Sequence, residues 1–326
     1  MAPEICHYAA AVMQAPPLPP RPDAQTAMVL GRPPTTWAIE APGSLGAGDV
    51  LEEGIRLGLV NWRTIAVASF LLAGLVPILQ AALGNGPPAL ETMRALMHGA
   101  TPSGPPAHPA SAILGMVSSF GLAPILLICL PWLALRGVVR ERAQGVGNAL
   151  LWSARRWGRA MWLSICFGLA ILGLFVAGAI PTAIAFGINP TASVFVGLAA
   201  LAVIFVIGSR WLTAVHALVL EDERGFAALG RSWQLSSEHR ARLLGFTCLY
   251  AVVGFLAVMI PFGLELAIAG DGRGPDLVRA CVQAVFAASL APFSAGVLAV
   301  LYADLFERAG GGGADRFDHL LYRAEH

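Results

Sequence analysis

Apolar residues in this chain gather into six long runs, at about Thr64–Leu83, Ala112–Leu135, Met161–Phe186, Ala192–Leu220, Leu243–Ile268 and Val278–Leu301. Each run is apolar on all sides and long enough to cross a bilayer core of about 30 Å, which takes ~20 helical residues. Barrel strands would be shorter and would alternate in polarity. Helices also satisfy every backbone group within the segment, as hydrocarbon requires. The pattern predicts an all-α integral membrane protein with about six transmembrane helices. Pro77, Pro124, Pro181, Pro261 and Pro292 fall inside the runs. In a membrane, neighbouring helices can answer the carbonyl that each proline frees, so kinks are expected rather than breaks.

Short amphipathic stretches precede the first, third and fifth runs. In the first, Leu51, Ile55, Leu59 and Trp62 share a face, opposite Glu52, Glu53 and Arg56, and Asp49 with Glu52 fits a capping box. In the second, Val146, Leu150, Ala154 and Trp157 form the stripe, with Arg155, Arg156 and Arg159 on or beside its polar side. In the third, Phe226, Leu229 and Trp233 oppose Arg231, Gln234 and Glu238. Each leads into a run with proline in its distal half. The expected unit is an interfacial helix plus a two-span hairpin, repeated three times at a spacing of roughly 80 to 95 residues. Residues 48–308 then form one membrane domain. The proline-rich, aperiodic residues 1–47 read as a disordered cytoplasmic tail rather than a secretory signal, and residues 309–326, with Gly310–Gly313, as a flexible one.

Composition agrees: 56% of residues are hydrophobic and 13% charged, whereas soluble domains carry about 25% charged residues. All 21 basic residues are arginine, and the net charge of +1 gives no basic face for nucleic acid. The arginines cluster. Arg136, Arg140, Arg142, Arg155, Arg156 and Arg159 follow the second run, and Arg224, Arg231, Arg240 and Arg242 follow the fourth. Connections on the other side carry Arg94, Arg273 and Arg279. The positive-inside rule therefore predicts both termini in the cytoplasm.

An ionised side chain within a span is the default site hypothesis. Arg210 stands out, expected two to three turns inside the fourth span, with Asp304 as its partner and Tyr302 adding a hydrogen bond. This intramembrane polar cluster reads either as a carboxylate or phosphate site or as a packing ion pair. Glu265, near the end of its span, is expected to reach water. His216 has no second ligand at helical spacing and reads as a polar packing residue. His98, Glu91 and His108 share a loop but lack the regular structure of a metal site. Cys6, Cys129, Cys166, Cys248 and Cys281 form no CxxC pair, and four lie in apolar runs, so they read as small hydrophobes. No HExxH, Walker loop or GxSxG appears. The expectation is a non-enzyme without cofactor or metal.

The stretch Arg210-Trp-Leu-Thr-Ala-Val-His-Ala-Leu-Val-Leu-Glu221, followed by Gly225-Phe-Ala-Ala-Leu-Gly-Arg-Ser-Trp-Gln-Leu-Ser236 and His239-Arg240, resembles a bacterial polytopic membrane-domain family. That family occurs alone or fused to glycerophosphodiester phosphodiesterases. Leu301-Tyr302-Ala303-Asp304-Leu305 is similar to its closing element, though Phe306 stands where the family has arginine. The likeness covers roughly residues 49–308 and lacks the catalytic domain, so it implies a stand-alone member without hydrolase activity. It marks Arg210, Glu221, Arg231, Ser232, Tyr302 and Asp304, with Glu221, Arg231, Ser232 and Arg240 at the cytoplasmic interface. The resemblance implies a polytopic protein of the bacterial inner membrane linked to envelope or lipid homeostasis. The three interfacial helices and their arginines point to binding of membrane lipids through anionic headgroups, or to scaffolding of protein partners or further copies. The alternative is a transporter or lipid-translocating protein.

Overall fold

The computed structural model describes residues 46–83, 109–140, 145–268 and 273–309, with residues 319, 320 and 322. The expected tails lie almost wholly outside these residues, as do Cys6 and the loop bearing Glu91, His98 and His108. Among the described residues every regular element is a helix. We number them α1 (Ala47–Val60), α2 (Trp62–Ala82), α3 (Ile113–Gly137), α4 (Val146–Arg155), α5 (Trp157–Ile188), α6 (Pro190–Arg210), α7 (Ala214–Glu221), α8 (Phe226–Leu235), α9 (Arg240–Ala267) and α10 (Arg273–Arg308). Among the described residues six helical segments are long and apolar enough to cross a membrane, one for each predicted run, the fourth spanning α6 and α7 from Pro190 to Glu221.

Local chemistry sets the boundaries. Gly46 caps α1, and its N–H donates to Asp49 Oδ2 at 2.6 Å, so Asp49 is the third helical residue rather than the cap expected of it. Asn61 breaks α1 from α2 and turns its side-chain N–H back to the Leu57 carbonyl at 3.2 Å. Asn189 caps α6 by accepting the Thr191 N–H at 2.8 Å, with Pro190 at the first helical position. The fourth run is not one helix. It stops at Arg210, turns through Trp211–Thr213 and resumes as the buried α7.

Packing centres on α10, which meets α1, α2, α3 and α9. Of its most apolar window 56% is buried, against 6% for the fourth span. The α5–α6 hairpin presents most of its apolar surface outward, with Phe186, Ile188 and Phe195 exposed. At 36 residues α10 is about 54 Å long, well beyond the thickness of a bilayer core.

Of the short helices expected at the interface, α1 packs along α10. Gly54 of α1 lies against Val297 and Gly58 against Pro292 and Phe293, while Gly296 faces the backbone of Gly54 and Gly58. A methyl group on any of the three would meet main chain. In α4, Trp152 stacks on Trp132 of α3, and just beyond it the Trp157 indole reaches Phe120. The bulky residues of the predicted stripes mostly face outward: Ile55, Leu59, Trp62, Trp157, Phe226 and Trp233 are exposed. Small residues face protein: Gly54 and Gly58, Ala149 and Ser153, Ala228 and Ser232. Within lipid nothing drives bulky side chains inward, and close backbone approach supplies the packing energy.

Proline chemistry is answered locally. Pro124 cannot donate to the Phe120 carbonyl four residues back. That oxygen accepts the Trp157 indole N–H at 2.9 Å instead. π-Turns at Phe70–Gly74 and Val117–Leu122 precede Pro77 and Pro124, shifting donors by one residue. In the α5–α6 hairpin a methyl on Gly178 would come 3.0 Å from the Ala200 Cβ, so small residues let the two helices approach closely there.

Candidate functional site

The turn after α6 positions the arginine that the sequence singled out. Ser232 of α8 donates through Oγ to the Arg210 carbonyl at 2.5 Å, and its Oγ lies 2.8 Å from Thr213 Oγ1. All three residues are buried. These bonds answer carbonyl and hydroxyl groups at the helix break, so the chain turns at Trp211 without leaving orphaned polar atoms. Gly225, with φ +51°, opens α8 where a Cβ would strike the Trp162 indole and Cys166. Asp222, with φ 61°, ends α7 and pairs with Arg159 of α5.

Arg210 therefore sits in the last turn of α6, and the candidate span continues through the turn and α7 to Glu221, about three turns further on. Its guanidinium lies 3.9 Å from the centroid of the Trp233 ring. The charged side chain acting on it is Arg240, of like sign. Arg240 itself is exposed, and its Nε donates to the Ser237 carbonyl at 2.9 Å. The expected Arg210–Asp304 pair is not formed. Asp304 accepts Arg308 Nε at 3.0 Å on both oxygens and lies 3.3 Å from Arg242 Nη2. Tyr302 belongs to a third group: its hydroxyl donates to Glu221 Oε1 at 2.6 Å, and Arg231 Nε donates to Glu221 Oε2 at 2.7 Å. Tyr302 stacks between His216 and Phe306, at 5.6 and 6.0 Å.

So the seven residues marked in the sequence collect around α6–α10 but divide into three groups. Glu221 is the last residue of α7 and answers Tyr302 and Arg231. Arg231 is held by that carboxylate instead of pointing to headgroups, and Ser232 is buried rather than interfacial. His216 is buried, with no hydrogen-bond partner on either ring nitrogen.

Two features went unmarked. Trp132 and Trp152 stack with centroids 4.0 Å apart and planes within 7°, and Arg156 covers Trp152 at 4.1 Å. Arg136 lies 5.6 Å from the Trp132 ring. Both Trp–Arg pairs stand at i, i+4, a spacing readable in the chain. Burial lowers the pKa of Arg156; Asp222 opposes that shift and Arg159 adds to it. Second, Glu265 is 3% exposed rather than in water, and hydrogen-bonds with Gln283 beside a crevice between α2, α9 and α10. Arg279, expected in a loop, is buried in α10 with Nη1 on Asp276 and Nη2 on the Ile268 carbonyl, both at 2.8 Å.

Fold and side chains together define a multi-pass α-helical membrane protein. No family model matches the chain, and neither a curated protein nor a solved structure matches it.

Proposed function

We propose that this is a non-enzymatic protein of the bacterial inner membrane that binds anionic lipid headgroups at its arginine-rich end. One observation carries the reading. Arg210 and Arg240 stand as like-charged neighbours, and among the described residues neither forms an ion pair. A guanidinium laid on an indole keeps its N–H edges free, and two such groups suit a phosphate. Elsewhere at this end three acids are already engaged, Glu221 by Arg231, Asp222 by Arg159, and Asp304 by Arg242 and Arg308. Exposed Trp62, Trp157 and Trp233 fit an interfacial aromatic belt.

The arginine distribution supports cytoplasmic termini, which puts this pair against the anionic leaflet. The resemblance to the stand-alone membrane-domain family supports a scaffolding role in envelope or lipid homeostasis. The helices α1, α4 and α8, each ahead of a span, support the threefold repeat.

Mass spectrometry of lipids retained after gentle extraction tests the proposal. Arg210→Ala and Arg240→Ala are each expected to lose a specific anionic lipid that the wild type keeps. Unchanged lipid in both variants overturns it. A second reading, transport or lipid translocation, rests on the crevice at Glu265. Reconstituted protein that moves labelled lipid no faster than empty vesicles removes that reading.

A further inference from the structure

At the end of α9 opposite Arg240, a crevice of about 360 Å³ opens between three helices. Pro77 on α2, Pro261 on α9, and Ala287 and Leu290 on α10 frame it, and its polar end is Glu265 with Gln283. The walls are otherwise apolar. From Ala257 to Glu265 the α9 wall rises about 12 Å.

The polar groups here are mainly acceptors. Glu265 is buried, and Gln283 supplies a neutral hydrogen bond to it. Arg279 acts on Glu265, but both its terminal nitrogens are spent, on Asp276 and on the Ile268 carbonyl. The described ionised side chains here are thus two acids and one base. A proline adds to the imbalance: Pro261 deprives the carbonyl of Ala257 of its i+4 donor, and Ala257 lines the crevice. An apolar slot with a carboxylate whose one neighbouring arginine is shared with Asp276 takes a ligand that brings a positive charge, hydrogen-bond donors and a hydrocarbon tail.

We propose that this crevice binds an amphipath with a primary ammonium head, the ammonium on Glu265 and the chain along Pro261 and Leu290. The site is independent of the arginine pair at the other end. The ammonium can belong to an aminolipid headgroup or to a single-chain amine.

The test titrates the full chain in detergent with dodecylamine, protonated at neutral pH, and with dodecanol as its uncharged counterpart, counting bound ligand by native mass spectrometry. Wild type is expected to favour the amine about tenfold or more, the scale of a charge-assisted hydrogen bond. Glu265→Gln is expected to abolish that preference. Ala287→Trp, which fills the slot and changes no charge, is expected to lose both ligands. Arg210→Ala is expected to leave the preference intact, which separates this site from the headgroup reading. Equal binding of amine and alcohol by the wild type overturns the proposal, as does a preference surviving in Glu265→Gln or wild-type binding by Ala287→Trp. Since wild type and Ala287→Trp are each decisive, a Glu265→Gln chain that does not fold leaves the test standing. Retention of phosphatidylethanolamine over phosphatidylcholine assigns the ammonium to a lipid. Preference confined to dodecylamine assigns it to a single-chain amine.

Discussion

Glu221 ties three helices together through one carboxylate. Tyr302 on α10 and Arg231 on α8 each hold one of its oxygens, at 2.6 and 2.7 Å. A buried acceptor that loses its donor costs about 1–3 kcal/mol, more when the group is charged. Tyr302→Phe keeps the stack on His216 and Phe306 and removes only the hydroxyl. It is therefore expected to destabilise the protein by about 2 kcal/mol, read as a lower unfolding midpoint in detergent. Glu221→Gln, still able to accept from Tyr302, is expected to cost less. Equal midpoints for Tyr302→Phe and wild type would show that the bond contributes nothing net. Glycine positions separate in the same way. Gly296→Ala drives a methyl into the α1 backbone, whereas Gly48, also helical, has open space around its Cβ direction. Gly296→Ala is expected to loosen α1, seen as faster proteolysis after residue 46. Gly48→Ala is expected to be neutral, or to stabilise by up to about 1 kcal/mol through helix propensity.

A proline inside a span raises the question of where its orphaned carbonyl finds a donor, and in α3 the answer is another helix. Trp157 supplies the N–H that Pro124 withholds from Phe120. The account predicts a coupling. Trp157→Phe is expected to cost about 1 kcal/mol in the native background. It should cost clearly less in Pro124→Ala, where the backbone N–H of residue 124 can return to Phe120. A double-mutant cycle on unfolding midpoints measures the difference, and full additivity would refute the link. Element existence was legible in the chain, because six apolar runs leave hydrocarbon no alternative to helices. The break in the fourth run was not. Trp211, Leu212 and Thr213 carry no helix-stop residue, and the turn is held by Ser232, 22 residues away from Arg210. For the same reason the partner of Arg210 was misread: depth along a helix does not tell which side chains meet. The Asp304–Arg308 pair, at i, i+4, was local and readable. The facing of α1, α4 and α8 was half legible. The two faces were visible as patterns, but which one meets protein depends on the surrounding solvent, and in lipid the small-residue face wins.

At the scale of the molecule, charge is sorted by end. The ion pairs of Glu221, Asp222 and Asp304 and the arginine pair lie around the start of α9 and the close of α10, while Glu265 and Arg279 lie at the other end of those helices. Because α10 is longer than a bilayer core is thick, part of it projects past the core, and the side each end faces is decided by insertion. The arginine-rich end is expected in the cytoplasm. Single cysteines in a chain stripped of its native thiols test this. Glu238, in the exposed turn before α9, lies beside the arginine pair, and Ile188, 82% exposed, lies at the tip of the α5–α6 hairpin. In intact spheroplasts a membrane-impermeant maleimide is expected to label a cysteine at 188 and to reach one at 238 only after lysis. The reverse pattern would place Arg210 and Arg240 outside, away from the anionic leaflet, and would take the headgroup reading with it. Labelling of both sites before lysis would mean that α6, whose apolar surface is so little covered by protein, does not cross the membrane.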